Sequence, residues 1–99
     1  MSTYAHSFQI DTQGFADIRD ITGEVSEAVL KSGLDSGVCV VFVPGSTAGV
    51  TTIEFESGAL ADLKEAIARL VPEGEAYAHD ARWGDGNGFS HVRAALLGP

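Results

Sequence analysis

The chain has one cysteine, Cys39, so no internal disulfide can staple it. Basic residues are scarce: six Lys and Arg stand against fourteen Asp and Glu, a formal net charge of −8. The summed field of such a chain repels phosphate backbones and anionic bilayers, which argues against nucleic acid or a membrane surface as a partner. Long apolar runs are missing as well. The longest covers residues 38–43 and stops at Pro44, far short of the roughly 20 residues that span a bilayer. Residues 1–6 contain no basic stretch followed by an apolar one, so no secretory signal is read and a cytoplasmic protein with a reduced thiol is expected. With 99 residues the chain is expected to form a single domain over 1–99, whose stability margin is thin unless a metal or a second chain adds to it.

What is present divides into periodic and aperiodic stretches. Residues 4–10 and 15–21 alternate imperfectly around the turn formers of 11–14, which predicts a β-hairpin. Thr22 is placed to cap a helix reaching about Ser32, with Val25, Ala28, Val29 and Ser32 on one face and Gly33 as its stop. Residues 38–43 do not alternate, which predicts a strand buried on both faces with Cys39 as a small core hydrophobe. Residues 44–49 read as a loop and 50–56 as a β-branched strand. Ser57 is expected to cap the strongest helix, whose apolar stripe is Leu60, Leu63, Ile67 and Leu70 and whose end is marked by Pro72. Residues 73–90 have no usable period, and 91–97 read as a short helix capped by Ser90 and stopped by Gly98.

Three places gather polar groups. Gly45, Ser46 and Thr47 lie in a Gly-rich turn that can point backbone N–H groups and hydroxyls at an anion, or can simply be a turn; no Lys follows as in a P-loop. His79 and Asp80, followed by Asp85, Asn87 and His91, can supply a divalent-metal site in which a carboxylate fixes an imidazole tautomer, or can be a solvated acidic loop. The spacing is not diagnostic, since Asp85, Gly86, Asn87 and Gly88 match only a fragment of a calcium loop. Glu54 and Glu56 share one side of their expected strand, either as its solvated face or, if that face lines a pocket, as a general base or metal partner. His6 reads as a surface or packing residue.

Several stretches carry a resemblance in combination: residues 41–54, 69–72, 77–80, 83–88 and 90–99, with Gly14, Phe15, Asp20 and Thr22 near the start. Together they resemble the YjbQ family, whose members are often labelled secondary thiamine-phosphate synthase. The resemblance implies an α/β fold, with a strongly twisted mixed or antiparallel sheet curling toward a barrel and two main helices packed outside, assembled as a homotrimer. It implies a divalent metal ion, zinc or magnesium, held by His79 and His91, with Glu54, Asp80 and His91 as catalytic groups. Gly45, Ser46, Thr47 and Asn87 would bind a small phosphorylated ligand. The implied activity is a weak transferase reaction, the metal-assisted condensation of a pyrimidine diphosphate with a thiazole phosphate. The alternative is a non-catalytic trimeric module that binds a metal or a phosphorylated ligand. Many members carry a His where this chain has Gly45, and some carry one at Phe89, which weakens a three-histidine metal site here and implies looser binding or help from another chain. Members also continue past Pro99 into two further strands. A chain without them is expected to be truncated, or to have its open edge covered by a partner chain.

Overall fold

The computed structural model describes residues 1–98. Among them are four helices, α1 (Thr22–Ser32), α2 (Ser57–Leu70), α3 (Ala78–Trp83) and α4 (Gly88–Leu97), and no strand. The expected α/β architecture with a twisted sheet is therefore overturned: the described chain is helical. The β-rich segments at 4–10, 15–21, 38–43 and 50–56 stay outside regular structure because none has a neighbour to pair with. Among the described residues, the backbone hydrogen bonds outside the helices close turns and helix ends, apart from Val50 N–H donating to the Gly98 carbonyl at 3.2 Å. A preference for strand is largely a preference for packing on a pleated surface, and it yields no sheet when that surface is not formed. Exposure confirms it, since Val38 is 94% and Val40 82% exposed where a strand buried on both faces was expected. Cys39 is also exposed and is not a core residue.

The chain divides into two compact units, residues 1–41 and 42–99. In the first, α1 ends at Gly33 as its sequence predicts, the Gly33 N–H donating to the Leu30 carbonyl at 3.2 Å. The N-cap is Ile21 rather than Thr22; the Thr22 N–H instead finds the Asp20 carboxylate at 2.9 Å. The Thr22 side chain first, and this N–H second, hold the Asp20 carboxyl below its usual range. On the exposed face of α1 the Glu27 and Lys31 side chains pair at 3.0 Å across one turn.

In the second unit α2 is the longest helix, ending at Leu70 just before Pro72. Its N-cap is Glu56, not Ser57: the Glu56 carboxylate accepts the Gly58 and Ala59 N–H groups. A glutamate can serve where the chain enters in an extended conformation, and its negative charge suits the positive end of the helix dipole. Residues 73–90, expected to be irregular, contain α3 and the first residues of α4. A six-residue helix is too short to show a 3.6-residue period, which is why the sequence hides it. The buried apolar residues are Val71, Phe89 and Ala94, from the end of α2 and from α4. Arg93 closes this small core: its Nε donates to the Val71 carbonyl at 3.0 Å and its guanidinium lies 4.9 Å from the centre of the Phe89 ring.

The cap makes a prediction. The Gly58 and Ala59 N–H groups hold the Glu56 carboxyl below the ordinary glutamate range, so its contribution is fully present above that range and fades as pH falls through the lowered value. Glu56→Gln should lower the thermal midpoint at about pH 7, and the gap from the parent should close as pH falls from the ordinary glutamate range through the lowered value. Circular dichroism melts across that interval measure it, and a gap independent of pH would refute the charged-cap account.

Candidate functional site

Helices α3 and α4 are joined by four residues, 84–87, and their junction concentrates the polar groups. Tyr77 leads into α3 and is fixed by its hydroxyl, which donates to the Pro72 carbonyl at 2.6 Å. Asp80, one turn on, binds both helices. Its backbone carbonyl accepts the Gly84 N–H at 2.7 Å, closing α3, and its Oδ1 accepts the Gly88 N–H at 2.8 Å, satisfying the first donor of α4. Asn87 is the N-cap residue of α4 but supplies no side-chain cap, and Ser90, the expected cap, lies inside the helix. The helix can start three residues early because the cap comes from Asp80, distant in sequence by eight positions.

The linker turns back through Gly84 and Gly86, both left-handed with φ of 71° and 70°, a conformation that costs a Cβ-bearing residue about 1–2 kcal/mol. Between them Asp85 is returned toward α3, its Oδ1 lying 3.2 Å from His79 Nδ1. With its amide nitrogen facing the carboxylate, Asn87 donates to both Asp85 oxygens at 3.0 and 3.1 Å. His79 Nδ1 also lies 3.9 Å from Asp80 Oδ1. One donor atom each from His79, Asp80 and Asp85 thus fall within 4.8 Å of one another, with the first two residues half-buried and Asp85 exposed. The His91 ring, in the first turn of α4, is tilted against the His79 ring with centroids 4.3 Å apart.

His91 also faces the other way. A cavity of about 280 Å³ is lined by Phe42, Val43, Gly45, Ser46 and Ala48 on one side of the sequence and by His91, Ala94 and Ala95 of α4 with its C-cap Gly98 on the other. His91, Ala94 and Ala95 follow i, i+3, i+4 spacing and so share one helix face.

Of the residues singled out from the sequence, His79, Asp80 and His91 are brought together, and Gly45 and Ser46 reach the cavity that His91 lines. Asn87 joins through Asp85 rather than through the cavity. Thr47 does not line the cavity, and Glu54 belongs neither to the donor group nor to the lining. His91 likewise stands beside the donor group rather than within it. Asp85, read from the sequence as one carboxylate of a possible metal site but given no role by the resemblance, joins His79 and Asp80, aimed back by the left-handed glycines on either side.

The profile of the family described as "UPF0047 protein YjbQ-like" matches residues 6–99. The chain belongs to this family. A "UPF0047 protein" of Methanothermobacter thermautotrophicus is 35% identical over 98 residues, covering 99% of this chain and 67% of the relative. A "UPF0047 protein" of Archaeoglobus fulgidus is 37% identical over 82 residues, 83% of this chain and 61% of the relative. "UPF0047 protein Mb2586c" of Mycobacterium bovis is 42% identical over 65 residues, 66% of this chain and 50% of the relative. The chain thus spans between half and two thirds of the length of these UPF0047 relatives. No solved structure matches it. Among the described residues no helix is long and apolar enough to cross a membrane.

The junction leaves little room for change. A Cβ on buried Gly88 would stand 2.6 Å from the Tyr77 Cβ and 3.1 Å from Asp80 Oδ1, and neither neighbour is the free end of a flexible chain. Gly88→Ala is expected to destabilise the chain by roughly 1–3 kcal/mol, as overpacking does. Urea unfolding measures this, and an unchanged midpoint would show that α3 and α4 part at no cost.

Proposed function

We propose that this UPF0047 chain binds a divalent metal ion through His79, Asp80 and Asp85, and that a phosphorylated small molecule is handled beside it with His91 as proton donor. The observation that carries this reading is the convergence of one imidazole nitrogen and two carboxylates within 4.8 Å, next to a second imidazole that lines a cavity. The donor set fits such an ion. An imidazole with two carboxylates suits zinc and its neighbours, with each donor about 2.0–2.2 Å from the cation. Both carboxylates are already steadied from behind, Asp80 by the Gly88 N–H and Asp85 by the Asn87 amide, as supporting partners steady metal ligands. When bound, the ion would offset the charge of a phosphate or diphosphate, which a chain of net charge −8 otherwise repels.

Within that reading, His79, Asp80 and Asp85 would hold the ion, and His91 transfers a proton to a leaving diphosphate oxygen at the cavity mouth. The reaction to which the family resemblance points is the condensation of a pyrimidine diphosphate with a thiazole phosphate, releasing pyrophosphate. The exposed apolar side chains of Val38, Val40 and Phe42 support a further part of the proposal, that the protein works as a homo-oligomer, a trimer.

The position of Glu54 favours a second reading. It was the acid expected beside the histidines, and its absence from the donor group and cavity leaves the site without an added general base. On that reading the chain is a module that holds a metal or phosphorylated ligand without turning it over.

Calorimetry with Mn²⁺ or Zn²⁺ and an assay of thiamine-phosphate formation separate the two. His79→Ala and Asp85→Asn should each weaken metal binding at least about tenfold. Metal-dependent product that falls at least about tenfold in His91→Ala supports the enzyme. Metal binding with no product supports the module, and no metal binding by the parent chain removes the enzyme reading and the metal-holding form of the module.

A further inference from the structure

The residues first expected to hold an anionic group do not gather around the donor group. Gly45 and Ser46 line the cavity, Thr47 does not, and the Asn87 amide is taken up by Asp85. The cavity lining holds no Lys or Arg. An anion brought beside the ion of the proposed site still needs a protein group to orient it, and the chain has only six basic side chains. Among the described residues Arg19 pairs with Asp17 and Lys31 with Glu27, and Arg93 is held by the Val71 carbonyl, the Phe89 ring and Glu73. Lys64 and Arg69 lie on α2. The remaining one, Arg82, stands on α3, the helix that carries His79 and Asp80.

His79, Arg82 and Trp83 follow i, i+3, i+4 spacing and so share one face of α3. The Arg82 guanidinium lies over the Trp83 ring, 5.3 Å from its centroid, and Trp83 is 65% exposed. Among the described residues Arg82 forms no ion pair, although Asp80 and Asp85 belong to the same junction. A guanidinium engaged through its flat face keeps its in-plane N–H groups open to an acceptor.

We propose that Arg82 is the residue that recognises the anionic group of the ligand: stacked on Trp83, it presents paired N–H donors to two oxygens of a phosphate monoester beside the His79, Asp80 and Asp85 group. The planar fork matches two oxygens at once, which a lysine ammonium does not. Arg82 is thus a specificity residue outside the set that the resemblance implies, and its role rests on the metal reading given above. Asp80 and Asp85 repel an anion until a cation neutralises them, so Arg82 and the ion attract it together.

Trp83 is the single tryptophan of the chain, so its emission reports on the Arg82 stack directly. The test titrates the full chain, loaded with one equivalent of Zn²⁺, with methyl phosphate and separately with uncharged trimethyl phosphate. Methyl phosphate should change Trp83 emission saturably, and trimethyl phosphate should not. By calorimetry, Arg82→Gln should weaken methyl phosphate binding at least about tenfold, and Arg82→Lys by a smaller factor, since the charge survives and the fork is lost. Neither variant should lower Zn²⁺ affinity by more than about twofold, because Arg82 is not a donor to the ion. The proposal is overturned if methyl phosphate gives no saturable change, if trimethyl phosphate binds equally well, or if Arg82→Gln binds methyl phosphate as the parent does. Such a result with Zn²⁺ still bound leaves the metal site standing. Arg82-dependent binding of methyl phosphate by a parent chain that takes up no Zn²⁺ upholds Arg82 and removes the metal site, so the two failures are distinguishable.

Discussion

The site depends on one carboxylate. Asp80 closes α3 with its backbone carbonyl and opens α4 with its side chain, so a single residue sets where one helix ends and the next begins. Because the bond to the Gly88 N–H draws the start of α4 up to α3, His91 on the first turn of α4 comes to lie against His79 on the first turn of α3. The approach is possible only with glycine at position 88, where a Cβ would collide with Tyr77. Tyr77 is in turn anchored on Pro72, immediately after α2 and the buried Val71. The chain of constraint therefore runs from the small core through Tyr77 to Asp80 and only then to the histidines.

A second constraint acts from the linker. Four residues must reverse the chain between α3 and α4, and the left-handed glycines at 84 and 86 achieve it while presenting Asp85 inward. Asn87 then holds Asp85 by both oxygens. Asp80 and Asp85 thus reach His79 by independent routes, one fixed by a helix cap and the other by a turn. A donor group assembled in this way is held by backbone geometry more than by side-chain packing, which is how it survives at a half-exposed surface.

Helices α1 and α2 were legible in the sequence because their apolar residues repeat over three and four turns, and their stops at Gly33 and before Pro72 are local signals. Their starts were misplaced by one residue each, since Ile21 and Glu56 lie outside the usual capping set. The strands were expected for a sound local reason, the β-branched runs at 38–43 and 50–56, yet sheet formation is a property of neighbours and the described chain offers none. The site was legible only in part. His79, Asp80 and His91 attract notice by type and proximity, whereas Asp85 depends on two backbone angles and the cavity on alanines at 94 and 95, which are silent in any motif.

The charge pattern gives these parts a common logic. A protein this acidic cannot attract a phosphorylated ligand through its overall field, and no cation lines the cavity to reverse the sign locally. On the proposed reading the attraction is instead concentrated at the two carboxylates, which recruit a divalent ion. His91 is the residue where the donor group and the cavity meet, packed on His79 on one side and lining the cavity on the other. Its neighbours in the lining from α4 are Ala94 and Ala95, with the C-cap Gly98, so nothing larger than a methyl group intrudes between the imidazole and whatever the cavity receives.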